Sequence, residues 1–403
     1  VRYGVAPDHH SIRSVRDTLA KTLERPEVRL LAGVEVGTDV GVEELTAAYD
    51  GVVLTYGAAR DRRLGIPGED LLGSLAATDL VAWYCGHPDA DRNGVERALE
   101  GVRSAVVVGV GNVAVDVTRV LTAPAARLDA TDMPQHVLEL LAASGITDVH
   151  VLGRRGPAQA TWTTKELREL GELEGVDVEV DAEDLELEPV SAALVESDRV
   201  VARNVEVIRG WADHHATEAS RHIHLHFHAR PVELLGTDRV EQVVVERTTI
   251  DESGQAHGTG ETYELDAQLV VRSVGYRGEA LAGVPFDDRR NVIPNVEGRV
   301  VDEAGTPIPG LYVAGWIKRG PTGIIGTNKK DAAATVASLL ADLDGRPAAG
   351  AGIGDVLAER GVQVVDLEGW RAIDAAERAL GAERGRDRTT LHERDTLVAA
   401  ARG

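Results

Sequence analysis

The 403-residue chain carries one cysteine, Cys85, one methionine and two phenylalanines, and aromatic residues make up only 3% of it. A single thiol excludes a disulfide framework, a CxxC redox pair and any cysteine-ligated zinc or iron-sulfur centre built within the chain, and it points to a reducing compartment. Basic residues number 43 against 66 acidic ones, a formal net charge of −23. That balance excludes nucleic acid as a partner, because phosphate binding needs massed Lys and Arg. No run of about 18 apolar residues is present, and no charged-then-apolar signal segment opens the chain. The expectation is a cytoplasmic protein with no transmembrane segment. Internal repeats and low-complexity tracts are absent too. Hydrophobic residues reach 43%, and the length suits about two or three domains with sizeable cores.

Along the chain, Ser11 to Arg25 places Ile12, Val15, Leu19 and Leu23 at helical spacing, and Val28 to Val36 alternates like a strand. Gly51 to Tyr56 reads as another strand. The continuous apolar runs Ser104 to Val110 and Val149 to Leu152 suit strands covered on both faces. A helix is expected from Asn112 to about Leu121 and another near Pro134 to Ala143. Alternation in His222 to Arg230, Val240 to Thr249 and Tyr263 to Val274 predicts an antiparallel meander. Leu311 to Ala314 is a short strand, and Asp331 to Leu343 an Ala-rich helix. The order is α/β, an antiparallel patch, then α/β again.

The sharpest motif is VVVGVGNVAVDVTR, Val106 to Arg119. Gly109, Gly111 and Ala114 fit G-x-G-x-x-G/A between a strand and a helix, where free backbone N–H groups and the helix dipole receive a pyrophosphate. The alternative is an ordinary glycine-rich turn. Arg154 and Arg155 follow the next buried strand, at the position where a carboxylate would select NAD and arginine accommodates a 2′-phosphate. Arg154 lies 43 residues beyond Gly111 rather than about 20, and an inserted helical segment from Thr122 to Gly145 accounts for the excess. A solvated turn with two arginines is the alternative there. A third glycine-rich loop, GWIKRGPTGIIGT from Gly315 to Thr327, runs into a helix and presents Trp316 as a flat surface.

Two other features read as surface. His222, His224, His226 and His228 alternate with apolar residues, so four imidazoles share one strand face. Successive side chains on one strand rarely converge on one ion, which favours a solvent-facing row. The acidic stretch Asp177 to Glu188 is likewise read as solvated.

Taken together, VRYGVAPDH, IPGEDL, VGVGNVAVDVTRVL, VLGRRGPAQATWTTKELREL, VVRSVGY, GLYVAGWIKRGPTGIIGTNKKDA and GWRAIDAAER resemble the adrenodoxin reductase-like ferredoxin-NADP reductases of the actinobacterial type. The resemblance implies an α/β fold with two Rossmann-like, glutathione-reductase-like domains, the NADPH domain inserted in the FAD domain. Expected boundaries are 1–101 and 269–403 for the FAD domain, the latter with a C-terminal helical segment, and 102–268 for the NADPH domain. It implies a reductase passing electrons from NADPH through FAD to a ferredoxin or similar small iron-sulfur carrier; no metal site is expected from the residues. By motif match, Gly109, Gly111, Asn112 and Val113 would hold the NADPH pyrophosphate, and Arg154 and Arg155 its 2′-phosphate. Glu166 matches the acidic residue at the nicotinamide end. Gly315, Trp316, Gly323, Ile324 and Ile325 match the isoalloxazine loop, and Val36 the backbone contact to the flavin adenine. His9 and Asp116 match a polar pair near flavin and nicotinamide. Arginines 199, 203 and 209, with Lys318 and Arg319, are candidates for docking an acidic ferredoxin.

The family opens with a βαβ unit carrying a second G-x-G-x-x-G for the FAD pyrophosphate. Val1 falls after that unit. The expectation is therefore that this chain holds FAD poorly, with a flavin-free NADP(H)-binding module as the competing reading.

Overall fold

The computed structural model describes residues 2–9, 13–212, 218–323, 325–343 and 352–403, with the backbone alone at Ile325. Two compact units are present. One comprises Val1–Lys21, Arg63–Val274 and Ala372–Gly403, the other Thr22–Arg62 and Gly275–Arg371. The sequence boundaries at 101 and 268 both fall inside the first unit.

In chain order the strands of the first unit's two sheets are β1 (Ser74–Ala76), β2 (Ser104–Val108), β3 (Asp148–Leu152), β4 (Val176–Val180), β5 (Arg221–His226), β6 (Ala229–Leu235), β7 (Gln242–Ile250), β8 (Ala256–Asp266) and β9 (Leu269–Arg272). Six of them form a wholly parallel sheet in the order β1-β9-β2-β3-β5-β4. The other three, β6 to β8, make an antiparallel sheet. Period-two geometry sorts the central strand: Ala105 and Val107 pack with Val149, Val151, Ile223 and Leu225 into the larger core. That core is covered by helices α1 (Asn112–Thr122), α2 (Thr164–Gly171) and α3 (Arg199–Ala212) through Val117, Leu167 and Ile208. Val106 and Val108 face the opposite way and meet Leu152, Ala229, Leu234, Val243, Val245 and Val270. Both faces of β2 are therefore dry, as its unbroken apolar run requires.

The meander differs from expectation at both ends. The run His222 to Arg230 is split at His228, whose φ of +52° is rare for a residue with a Cβ. The part before it, β5, pairs in parallel with β3 and β4, and only the part after it joins the antiparallel sheet. Tyr263 to Val274 is split likewise, since β9 is a buried parallel strand between β1 and β2. Asp177 to Glu188, most of β4 and a short 3₁₀ turn, keeps its acids exposed or half-exposed except Asp184, which is buried, accepts from Phe227 N (2.9 Å) and pairs with Arg247 (2.6 Å). Val28 to Val36 forms no strand, only single bridges from Ala32 to Val365 and from Val36 to Val40. The long spacing before Arg154 is filled by helices Ala125–Asp129 and Gln135–Ala142, within the expected insertion.

The second unit holds a four-stranded sheet in the order Val52–Leu54, Pro307–Val313, Arg299–Val301, Asn295–Val296, the first pair parallel and the rest antiparallel. Helix Ile325–Leu343 is pinned to it by Thr335 Oγ1 donating to Val313 O (3.0 Å) and Tyr312 OH donating to Asp342 (2.8 Å). No described helix of the chain is long and apolar enough to cross a membrane.

Candidate functional site

The C-terminal ends of parallel strands are where open α/β sheets bind ligands, and the candidate nucleotide residues of the first unit lie there. Gly109 directly follows β2 at φ +126°, and a Cβ on it would sit 2.2 Å from Ser273 O, so backbone conformation and the close approach of the β9 exit both demand glycine. Gly111 is the N-cap of α1 and offers no side-chain cap. The first N–H groups of that helix, beginning at Asn112 and Val113, therefore have no intrahelical acceptor. Ala114 is fully buried. The Asn112 amide oxygen is already committed, Oδ1 accepting from Thr163 N at 2.9 Å, which fixes the side chain beside the helix start.

Arg154 and Arg155 leave the end of β3. Arg154 is exposed and Arg155 half-buried. Neither pairs with an acid among the described residues. Burial, and then the neighbouring Arg154 charge, push the Arg155 guanidinium below its ordinary value, as expected of a cation without a counter-ion. Backbone bonds fix the turn: Thr248 Oγ1 donates to Arg154 O (2.8 Å) and His228 N to Arg155 O (3.2 Å).

His9, Asp116 and Glu166 come together in one cluster around Arg119. His9 Nε2 bonds Glu166 Oε1. Arg119, completely buried, is the hub: Nε and Nη2 donate to Asp8 (2.5 and 3.1 Å), Nη2 to Asp116 (2.7 Å), and Nη1 lies 3.4 Å from both Glu166 and Glu169. Burial outweighs the Arg119 charge at Asp116 and pushes its carboxyl up to about 6. At Glu166 burial works upward too, but the His9 hydrogen bond, the His9 charge and Arg119 prevail, and the carboxyl falls below its ordinary range. The Glu166 hydrogen bond raises His9 against the pull of burial.

The His9–Glu166 bond therefore contributes stability that is fully present below the ordinary histidine value of 6.5 and is lost as pH rises through the raised value. Side-chain NMR should show the His9 ring titrating above pH 6.5, falling back toward it in Glu166→Gln. A wild-type midpoint at or below 6.5 would contradict the pairing. Sequence reasoning missed Asp8, Arg119 and Glu169. Only the Asp116, Arg119 spacing of i,i+3 on α1 hinted at them.

The glycine-rich loop lies in the second unit. Gly315, at φ +77°, donates its N–H to Asp331 (2.6 Å), and Trp316 follows at the start of a short helix. The Trp316 ring stacks on Tyr276 with centroids 5.6 Å apart and planes at 25°, while its indole Nε1 is buried with no acceptor among the described residues. Gly323 has φ +81°, and a Cβ on it would lie 2.2 Å from Thr327 Oγ1. Ile324 and the side chain of Ile325 lie outside the described residues. Val36 is exposed in the tight bridge to Val40. Lys318 and Arg319 are engaged internally: Lys318 meets Asp331 at 2.9 Å, and Arg319 donates to Thr322 Oγ1 at 3.0 Å. Arg199, Arg203 and Arg209 are exposed along α3.

The model of the pyridine nucleotide-disulphide oxidoreductase family matches residues 7–325. NADPH-ferredoxin reductase FprA of Mycobacterium tuberculosis (strain ATCC 25618 / H37Rv) is 46% identical over 97% of this chain and 87% of its own length. The chain belongs to the NADPH-ferredoxin reductase family. The mitochondrial NADPH:adrenodoxin oxidoreductase of Arabidopsis thaliana is 37% identical over 100% of this chain and 87% of its own. The structure of Mycobacterium tuberculosis FprA in complex with NADPH superposes with a TM-score of 0.93 at 44% identity, covering 100% of this chain and 89% of that one.

Proposed function

We propose that this chain is a ferredoxin-NADP reductase that passes electrons from NADPH through FAD to a ferredoxin-type iron-sulfur protein. The observation that carries this is its likeness, along nearly the whole chain, to NADPH-ferredoxin reductases. The residues present fit both cofactors. Two guanidiniums without acidic partners at the end of β3 suit the 2′-phosphate of NADP. The buried, unpartnered Trp316 Nε1 beside a glycine-rich turn suits a flavin ring with carbonyl and ring-nitrogen acceptors. FAD, when bound, supplies the conversion of a two-electron hydride donor into one-electron delivery.

The chain's own part is to bind, orient and hold charge. Gly109, whose own N–H is taken by Leu152 O at 2.9 Å, shapes the turn; backbone N–H groups at Gly111, Asn112 and Val113 receive the pyrophosphate, and Arg154 and Arg155 the 2′-phosphate. His9, Asp116 and Glu166, braced by Arg119, fix charge at the nicotinamide end, with the proton held at His9 Nε2 against Glu166. Gly315, Trp316, Gly323, Ile324 and Ile325 enclose the isoalloxazine, and Val36 meets the adenine through its backbone. Residues 102–268 form the NADPH domain, and 1–101 with 269–403 the FAD domain. A cytoplasmic location fits the single thiol of Cys85, which burial pushes up to about 12 and so keeps unreactive.

Two measurements check this. After incubation with FAD, the chain should reduce cytochrome c from NADPH only when a ferredoxin is added; reduction that ignores the ferredoxin, or none at all, would refute the reading. Gly323→Val adds bulk where even a Cβ is 2.2 Å from Thr327, so its flavin content per chain should fall severalfold. Unchanged flavin absorption in that variant would remove Gly323 from the cofactor loop.

A further inference from the structure

The histidine row of β5 is not isolated on its strand. Ile223 and Leu225 point into the larger core, so His222, His224 and His226 point the other way, where the antiparallel sheet covers Leu152 of β3 and brings Tyr263 to 6.5 Å from the His226 ring. In register beside them, β3 presents Asp148 and His150 and β4 presents Asp177 and Glu179 on the same face. His228, after the strand end, is not part of the row and lies 3.5 Å from Glu188. The row is half-buried rather than solvent-facing.

Convergence, which one strand alone cannot supply, comes from the neighbouring strand. His150 Nδ1 lies 3.0 Å from His226 Nε2. His150 also stacks on His224, with centroids 4.5 Å apart at 17°. His224 in turn holds Asp148 through Nε2 (3.0 Å) and Glu179 through Nδ1 (3.2 Å), and His222 Nδ1 holds the other Glu179 oxygen (2.9 Å).

We propose that His150 and His226 form a two-imidazole clamp for a divalent transition-metal ion of the zinc class, seated between His150 Nδ1 and His226 Nε2 and completed by water. Zinc binds imidazole nitrogen at about 2.0–2.1 Å in tetrahedral geometry, which spaces two donors about 3.3 Å apart. The observed spacing needs only a few tenths of an ångström of opening. A contact between two imidazole nitrogens demands that one supply a lone pair, so at least one ring is already held there in the neutral form that binds metal. Asp148 and Glu179, held in place by His224 and His222, supply the negative field that a dication requires. Imidazole ligation selects zinc, nickel or copper over magnesium and calcium.

Among the described residues a further cluster with suitable donors, His9, Glu166 and Glu169, already faces a cation, since Arg119 Nη1 lies 3.4 Å from both glutamates. The two locations are separated by titrating the purified chain with zinc chloride and measuring bound metal by calorimetry and equilibrium dialysis. One equivalent should bind, weakened at least tenfold in both His150→Gln and His226→Gln. It should be unchanged in His257→Gln, an exposed histidine that bonds Asp251 at 2.6 Å. Thermal melts with and without zinc add a second readout, because an ion bound only to the folded chain raises the midpoint; the rise should vanish in the two clamp variants. Zinc affinity that survives both substitutions, zinc loss in His9→Gln alone, or no binding at all would each overturn the proposal.

Discussion

Arg119→Leu should destabilise the first unit by about 3–5 kcal/mol at neutral pH, the range for removing one partner of a buried ion cluster. The guanidinium has no solvent exposure and reaches Asp8, Asp116, Glu166 and Glu169. Leucine fills part of the volume but leaves those carboxylates facing one another in a largely desolvated space, relieved by His9, by Arg127 at 3.7 Å from Asp8 and by Lys165 at 3.9 Å from Glu169. Repulsion and burial then raise their folded pKa values above the unfolded ones. A raised acid binds more protons in the native state than in the unfolded state, so the variant loses stability as pH rises from about 4 toward 7. Far-UV circular dichroism melts at pH 7.5 and pH 5 should therefore show a deficit against the parent that shrinks at the lower pH. An equal deficit at both would mean that the arginine acts by packing alone.

The contrast between this cluster and the nucleotide turn shows what the sequence could carry. At Gly109 the requirement is local: a positive φ, a strand on one side and a helix on the other, all spelled within a few residues. The buried charge hub draws on Asp8, Arg119 and Glu166, with 111 residues between the first two and 47 between the last two, and in a chain so rich in charge each of them alone resembles surface. Strand direction was equally hidden. The alternation of His222 to His226 correctly reported one polar face, but alternation is the signature of a half-covered strand and does not say whether the neighbours run parallel. Here β5 lies in a parallel sheet whose far side is only partly covered, so it alternates like an antiparallel strand. The continuous apolar run of β2 was legible because a strand dry on both faces leaves no position for a polar side chain.

Replacing Arg154 and Arg155 together by alanine should weaken NADPH binding by about 3 kcal/mol, roughly 100-fold, with NADH binding nearly unchanged. Each guanidinium should give a charge-assisted hydrogen bond to a phosphate dianion that NADH does not possess. Both arginines leave the β3 end without an acidic partner among the described residues, so no internal ion pair must be broken before they turn to a ligand. For the same reason the parent chain should prefer NADPH over NADH at least tenfold. The substitutions leave the turn intact, because Arg154 and Arg155 are fixed there through their carbonyls, which Thr248 Oγ1 and His228 N hold irrespective of side chain. The start of α1, untouched by the substitutions, should serve the pyrophosphate common to both nucleotides equally well. Calorimetric titration with each nucleotide separates these contributions. Equal losses for NADPH and NADH would place the arginines outside the 2′-phosphate site and assign their effect to the turn itself.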